Sequence, residues 1–193
     1  MACMEPFAQI TGTAKIYLAP ERTAPPAINA QPGVDWIYLG ETDGDQSVEH
    51  AGELTMFRTN ERTGPLKAIR PEEDVTIGFT LVETTLENYA RVLHHADLVT
   101  SSTVPVPAKH MPFKRGACPT VYALLMIGDA DSPYGLYPAY NYFPRVVSNA
   151  EPEVTRAKDD RRVLECSYTV LEDPQQTTAG NEMGWAVAQT GAA

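Results

Sequence analysis

Cysteines are few in this sequence, and they are too widely spaced to form a metal-binding or disulfide pattern. Only Cys3, Cys118 and Cys166 occur among 193 residues, and no C-x-x-C motif is present. Structural zinc sites and disulfide-rich domains need closely spaced or paired cysteines. The sequence therefore predicts neither, and three unpaired thiols are typical of a protein made in a reducing compartment.

Long hydrophobic runs and an excess of positive charge are also missing. The longest apolar run, Val121 to Ile127, is far shorter than the roughly 20 residues of a transmembrane helix. The segment from Met1 to Lys15 does not resemble a signal peptide. We therefore expect a soluble protein made in the cytoplasm, with no membrane partner. Its net charge of -10 excludes tight binding to nucleic acid phosphates, although charge alone does not distinguish DNA repulsion from simple solubility.

Motifs that carry catalysis or bind cofactors are absent. The chain has no G-x-S-x-G, phosphate-loop or H-E-x-x-H pattern. His94 and His95 are adjacent, so on a helix they point in different directions and do not chelate a metal. We predict no catalytic residues, no metal site and no cofactor, and hence no enzyme. A cleft that holds a carboxylate with a strongly perturbed pKa would reverse this interpretation.

Alternation of apolar and polar residues is the strongest pattern that is present. From Asp74 to Leu81, one face carries Val75, Ile77, Phe79 and Leu81, and the other carries Asp74, Thr76, Gly78 and Thr80. A period of two predicts a strand with one buried and one wet face. Further strands are predicted at 9–18, 34–39, 66–69, 118–127, 134–147 and 161–171, and residues 47–59 are predicted to be strand or extended loop.

A helix is predicted directly after the alternating strand, over residues 84–95. Thr84 and Glu87 are spaced as a capping box, and an apolar stripe follows at helical spacing. The predicted fold is mainly β, a β-sandwich or barrel with one flanking α-helix and long loops, and it spans residues 1–173. Residues 174–193 are weakly patterned and are predicted to be a C-terminal extension, either flexible or an arm between subunits.

One long loop, residues 99–117, concentrates positive charge in this acidic chain. It contains Lys109, Lys114 and Arg115. These side chains form a candidate contact with an acidic neighbouring copy of the chain. A phosphate-binding group and an ordinary solvated loop are the alternatives.

The stretch ERTGPLKAIRPEEDVTIGFTLVETTLENYARVL, from Glu61 to Leu93, resembles the centre of phage major tail tube proteins of long non-contractile tails. These proteins run from a polar break through an alternating strand into a helix that opens with T-L-E-N. Trp36 to Gly40 and Asp43 to Leu54 are similar to the strand and long loop that come earlier. The resemblance covers roughly the first half of the chain, and the second half departs from it.

The resemblance implies a structural subunit rather than an enzyme. In that family a β-sandwich with a flanking helix forms rings of six copies, the rings stack into a tube, and the type VI secretion tube shares the fold. The expected location is the virion tail, after assembly in the host bacterial cytoplasm. The expected partners are other copies and the tape measure, terminator and distal tail proteins, and DNA would pass through the lumen without specific binding.

Two surfaces follow from the strand pattern and the resemblance. The wet face at Asp74, Thr76 and Thr80 is the candidate lumen surface. The resemblance assigns contacts between rings to the loop at 41–65, whose charged residues are Glu41, Asp43, Asp45, Glu49, Glu53, Arg58, Glu61 and Arg62. The alternatives are another tail or secretion-tube assembly protein, such as a tail terminator, and a carbohydrate-binding β-sandwich. The last would need exposed rings at Trp36, Tyr38 and the tyrosines of 134–142.

Overall fold

Ten β-strands and one α-helix occur in the computed structural model, which describes residues 14–61, 63–96, 99–103, 105–116, 118–152 and 162–192. In chain order they are β1 Lys15–Pro20, β2 Ile37–Tyr38, β3 Thr42–Phe57, β4 Lys67–Leu81, α1 Leu86–Val92, β5 Thr100–Ser102, β6 Ala108–His110, β7 Val121–Gly128, β8 Ala139–Ser148, β9 Leu164–Val170 and β10 Trp185–Ala188. The predicted mainly β fold with one helix is thereby confirmed. Within these residues, no helix is long and apolar enough to cross a membrane.

Eight of the strands form one antiparallel sheet. Its order is β2-β1-β7-β8-β9-β4-β3, and β10 pairs with β8 beside this path. The remaining two strands, β5 and β6, form a separate hairpin. The segment 118–127, which the sequence predicts as a strand, overlaps β7, and β7 lies in the interior of the sheet.

The sheet curves around its main hydrophobic cluster. Ile16 of β1 and Ile77 of β4 belong to the same buried cluster, together with Leu124, Leu164 and Tyr168 from strands between them. The Gln46 side chain of β3 also accepts a hydrogen bond from the Ala14 backbone N–H and donates one to its carbonyl oxygen, both at 2.8 Å. Residues near both ends of the sheet therefore approach each other, as in a partly closed barrel.

A smaller cluster covers the opposite face of β1, β7 and β8. Trp36, from the loop before β2, packs with Leu125 and Tyr142, and Trp185 of β10 packs against them. Because this part of the sheet is buried on both sides, β7 is apolar on both faces, as its sequence pattern indicates. Trp185 places β10, from the segment predicted to be an extension, within the packed structure.

Helix α1 begins one residue later than the predicted capping box. Thr85, not Thr84, is the N-cap, and its hydroxyl accepts a hydrogen bond from the Asn88 backbone N–H at 3.2 Å. The Asn88 side chain is buried and donates to the Leu39 carbonyl oxygen at 2.8 Å. This contact selects the helix start, because it positions α1 against the loop that follows β2.

Strands β3 and β4 are longer than the sequence predicts. β3 begins at Thr42, five residues before the predicted segment 47–59, and β4 joins the predicted strands at 66–69 and 74–81 into one strand through Pro71. The β3–β4 register shifts between Asp43 and Ser47 and between Glu53 and Thr55. Such irregularities accommodate extra residues on one strand and a proline that cannot donate a ladder hydrogen bond, so the pairing continues past both positions.

Several predictions lie partly or wholly outside the described residues. These include the first part of the strand at 9–18, residues 104 and 117 of the loop at 99–117, the start of the strand at 161–171, the last residue of the C-terminal extension, and Arg62 in the candidate contact between rings.

Candidate assembly surfaces

A two-stranded ribbon extends from the packed sheet. We call it the arm: residues 49–57 of β3, residues 67–74 of β4 and the connection between them. β9 pairs with β4 only from Thr76 to Leu81, whereas β3 continues alongside β4 to Lys67. Every residue from 67 to 74 is exposed. At about 3.3 Å per residue, the arm reaches about 25 Å from the point where β9 ends.

The arm exposes large apolar side chains. Leu54, Met56, Phe57, Leu66 and Ile69 each have between 38% and 53% of their surface exposed. An isolated two-stranded hairpin is marginally stable in water, and clustered exposed apolar groups mark interaction sites. The arm thus has the composition of a ribbon that packs against another surface.

The outer edge of β3 adds to this surface. β3 has 16 residues and is the last strand of the sheet, with β4 as its only neighbouring strand among the described residues. Long edge strands with unpaired backbone groups favour pairing with another chain.

One face of β3 up to Glu53, of β4 from Glu72 onward and of β9 is mostly polar. Directly paired residues share a face, and the pairings place Asp43, Ser47, Glu49, Ala51, Glu53, Glu72, Asp74, Thr76, Gly78, Thr80, Glu165, Ser167 and Thr169 together. We call this the acidic face, because six of these residues are carboxylates and none is a lysine, an arginine or a large apolar residue.

The acidic face contains residues from two surfaces that are predicted separately from the sequence, the candidate lumen surface and the candidate inter-ring loop. Thr80 pairs with Asp43, and Thr76 pairs with Glu49. The candidate lumen residues and part of the candidate inter-ring loop are therefore cross-strand neighbours. Asp74 is exposed, and Thr76 and Thr80 are half-buried.

The other inter-ring candidates are distributed along β3 and the tip of the arm. Glu41 is exposed just before β3, and Asp45 is exposed within its first bulge. At the tip, the Arg58 guanidinium donates a hydrogen bond to the Thr63 carbonyl oxygen at 3.0 Å, and Glu61 is exposed.

The three basic candidates do not form one group. Lys109 lies on β6 and forms an ion pair with Glu87 of α1, and the hydrogen bond from Lys109 lowers the pKa of that carboxyl group. Lys114 and Arg115 are exposed in the loop before β7. Lys109 is thus engaged within its own chain, whereas Lys114 forms no ion pair in the part of the chain that the structure describes.

Lys114 lines a cleft that the sequence does not indicate. The cleft has a volume of about 950 Å³ and lies between α1, the end of β1 and the start of β7. Its lining residues are Leu18, Ala19, Pro20, Glu21, Ile37, Arg91, His94, Ala96, Lys114, Gly116, Cys118, Pro119, Thr120, Val121 and Tyr122. Because these residues come from four distant stretches of sequence, no local motif could have revealed the cleft.

His94 lines this cleft and forms hydrogen bonds with two other segments of the chain. Its Nδ1 accepts a hydrogen bond from the Thr120 backbone N–H at 3.2 Å, so Nδ1 is unprotonated and Nε2 donates to the Ser148 carbonyl oxygen at 3.1 Å. These bonds connect the turn after α1 to the residue before β7 and to the last residue of β8. The sequence analysis excludes His94 and His95 as a chelating pair but does not reveal this bridging role of His94.

The aromatic candidates for a carbohydrate platform divide into exposed and buried rings, and Tyr38 and Tyr134 are 42% and 62% exposed. Trp36 and Tyr142 are only 8% and 2% exposed, and the Tyr142 hydroxyl donates to the Thr23 carbonyl oxygen at 2.9 Å. Burial raises the pKa of Tyr142 to about 12. These two rings belong to the smaller cluster, so they are not free to stack on a sugar.

Within the described residues, no group of three or more histidine, cysteine or acidic side chains is placed to hold a metal ion. Comparison with known proteins adds no relative: no family model matches this sequence, and no curated protein matches it.

Proposed function

We propose that this chain is a structural, non-enzymatic subunit of a phage tail tube, which forms stacked rings of six copies around an acidic lumen. The observation that carries the proposal is the arm, a long exposed ribbon with five exposed apolar side chains and an edge that no other strand of the described residues covers. Such a ribbon is stable only when another surface covers it. A second copy of the chain supplies that surface in a self-assembling tube.

The sheet edges support assembly around a closed axis. Among the described residues, β3 presents a 16-residue edge at one end of the sheet, and at the other end β2 pairs only with Tyr17 and Leu18 of β1. Joining the sheets of successive copies would remove these edges. A barrel widens as strands are added, so a ring of several subunits encloses a channel.

The acidic face supports the passage of DNA. DNA carries one negative charge per roughly 1.7 Å of its axis, so it binds surfaces that present clustered lysine and arginine. The acidic face instead presents six carboxylates on each copy and carries no basic residue at its paired positions. Placed on the lumen, it would repel DNA and prevent adhesion during ejection.

Electron microscopy and sedimentation of the purified protein test the assembly. We expect rings and hollow tubes from the native chain. A Leu54→Ser, Met56→Ser, Phe57→Ser triple variant should stay monomeric with an unchanged circular dichroism spectrum. Val34→Ser is the matched control, since Val34 is 99% exposed but lies outside the arm. A native chain that remains monomeric at high concentration would overturn the proposal, and rings that never stack would favour a tail terminator.

DNA binding to the assembled tubes tests the lumen assignment. Glu72→Lys with Asp74→Lys should make the tubes retain DNA at low salt, with binding that weakens as salt rises. Lys15→Glu, outside the acidic face, is the comparison variant. If native tubes already retain DNA, or if the double variant does not, the acidic face is not the lumen.

A further inference from the structure

We infer that Gln46 is a latch that closes the sheet of a free copy, and that it must leave the outer edge of β1 before this edge can pair with β3 of a second copy. This inference rests on the proposed function, because it names a contact that regulates the joining of sheets between copies. Three observations support it: the hydrogen bonds of Gln46, their place on the edge of β1, and the bulge that positions Gln46.

The Gln46 side chain binds the backbone of β1 as a neighbouring strand would. Its Oε1 accepts a hydrogen bond from the Ala14 N–H, and its Nε2 donates to the Ala14 carbonyl oxygen, both at 2.8 Å. Nε2 also donates to the Thr42 hydroxyl at 2.8 Å. A side-chain amide has an N–H donor and a carbonyl acceptor, as a peptide group does. Gln46 therefore satisfies both backbone groups of Ala14, as a residue in an antiparallel partner strand does.

Ala14 completes a row of backbone groups along the outer edge of β1. The other side of β1 is paired with β7, and alternate residues of an antiparallel strand direct their backbone groups to opposite sides. On the outer side, Leu18 pairs with β2, and the Ile16 carbonyl oxygen accepts a hydrogen bond from the Leu39 N–H at 3.1 Å. With Gln46 on Ala14, the outward row from 14 to 18 is engaged within its own chain, so a second copy cannot pair there.

A bulge in β3 directs Gln46 towards β1. The register shift between Asp43 and Ser47 takes Gln46 out of the β3–β4 ladder. Gly44, within this bulge, has a φ of 70°, in the left-handed region that glycine adopts without strain. Bulges change the direction in which a side chain points. The bulge therefore frees the Gln46 side chain to cross from β3 to Ala14.

The latch connects two strands whose edges the proposed tube uses between copies. β3 is the last strand at one end of the sheet, and β1 is next to the last at the other end. Sheets protect their edges because unpaired backbone groups favour pairing with other chains. A side-chain hydrogen bond has a modest net effect on stability. The Gln46 bonds are therefore sufficient to protect the β1 edge of a free copy, yet weak enough for an incoming strand to displace them.

Assembly of the full chain tests the latch, with Gln46→Met as the main variant. Methionine has nearly the same length as glutamine but lacks the amide donor and acceptor. Gln46→Met should lower the protein concentration needed for association about tenfold, because no latch competes with the second copy. A purely structural role of Gln46 predicts the opposite, since a less stable subunit associates less readily. Sedimentation velocity measures the association, and electron microscopy identifies the assemblies.

Two further variants make this comparison specific. Gln46→Glu keeps an oxygen that accepts from the Ala14 N–H but cannot donate to the Ala14 carbonyl oxygen at neutral pH, so its effect should be smaller than that of Gln46→Met. Gln31→Ala is the control, because Gln31 is exposed in the loop before β2. It should leave the association concentration unchanged. An equal decrease for Gln31→Ala and Gln46→Met would contradict the latch.

Amide hydrogen exchange tests the same contact in the monomer, at concentrations too low for association. The Ala14 N–H should exchange about tenfold faster in Gln46→Met than in the native chain, because its acceptor is removed. The Lys15 N–H is the internal control, since Lys15 pairs with Ile127 of β7 on the other side of β1. Equal acceleration at both amides would show a general loosening of β1 and would overturn the latch.

The association results separate the latch from the tube. Native tubes with an unchanged or higher association concentration for Gln46→Met would overturn the latch and leave the proposed function intact. Discrete oligomers of Gln46→Met at lower concentration, without rings or tubes from either chain, would support the latch and overturn the tube. Amorphous precipitate of Gln46→Met would count against the latch. If neither chain associates, both proposals fail.

Discussion

The two halves of β4 share one strand and one hairpin partner, yet only one half is packed. From Val75 to Leu81, alternate side chains are buried, with Ile77 0% exposed, whereas every residue from 67 to 74 is exposed. The difference begins where β9 ends, since β9 pairs only with residues 76–81. Pairing with β3 alone therefore creates a ribbon, and a third strand with a core behind it creates a stable sheet.

The largest expected effect comes from removing core volume in the packed half. Ile77→Ala should lower the free energy of unfolding by about 2–5 kcal/mol, because Ile77 is fully buried in the main cluster. Ile69→Ala on the arm should cost about 1 kcal/mol or less, since Ile69 is 38% exposed. Urea denaturation of the monomeric triple-serine background measures both. Similar losses of unfolding free energy for Ile77→Ala and Ile69→Ala would contradict the distinction between the packed and the exposed half of β4.

The next effect concerns the docking of β10 onto β8. Gly184 has a φ of 124°, and a Cβ added there would lie 2.3 Å from the Tyr142 carbonyl oxygen. Gly184→Ala should therefore cost about 1–3 kcal/mol. Gly33→Ala is the control, because a Cβ there would meet nothing within 4 Å. Thermal unfolding should separate the two variants, and an unchanged midpoint for Gly184→Ala would show that β10 contributes little to the packed region.

The helix cap gives a smaller effect. Thr85→Ala removes the hydroxyl that accepts the hydrogen bond from the Asn88 N–H, and it should cost about 1 kcal/mol. Thr84→Ala, one residue earlier, should cost less than half of this. Chemical denaturation of both variants tests the assignment, and the reverse order would restore the capping box that the sequence predicts.

The smallest effect is a dependence on pH. Burial raises the pKa of Asp173, but hydrogen bonds from Arg22, at 2.9 Å, and from the Gln175 backbone N–H outweigh it and hold the pKa below its usual value. A carboxyl with a lowered pKa in the folded state contributes stability at neutral pH. That contribution is lost as pH falls through the folded pKa, starting near the ordinary value of about 4.

Asp173→Asn should therefore be destabilised at pH 7, and its unfolding midpoint should fall less than that of the native chain between pH 5 and pH 3. Glu73→Gln on the arm removes the ion pair with Arg70, whose side chain is 54% exposed, and it should change stability by about 0.5 kcal/mol or less. An equal pH response of the two variants would contradict the assignment to Asp173.

Sequence patterns predicted the element types well where one local period dominates. The alternation at 74–81 and the helix that follows it are both present in the structure. The boundaries were less accurate, since the Thr85 cap depends on Asn88 reaching the Leu39 carbonyl oxygen. The continuation of β4 through Pro71 depends on a bulge against β3. Both are contacts between distant residues, which local propensity does not contain.

The candidate surfaces were likewise predictable only where they follow from local pattern. The polar residues of the alternating strand were identifiable, because side chains in a strand point to opposite faces in turn. Their neighbours Asp43, Glu49 and Glu165 were not, since cross-strand register depends on the whole hairpin and on β9. The cleft had no sequence signal of its own.

The sequence by itself determined the mainly β architecture, the helix after β4, and the acidity of the chain, because these follow from local periodicity and composition. Only the tertiary structure decided which half of β4 is covered, which carboxylates share a face, and where the cleft lies. The physical reason is that burial requires a partner surface, and here the partners come from segments far apart in the chain. Periodicity indicates which face of a strand can be buried, but only the folded sheet determines whether anything covers it.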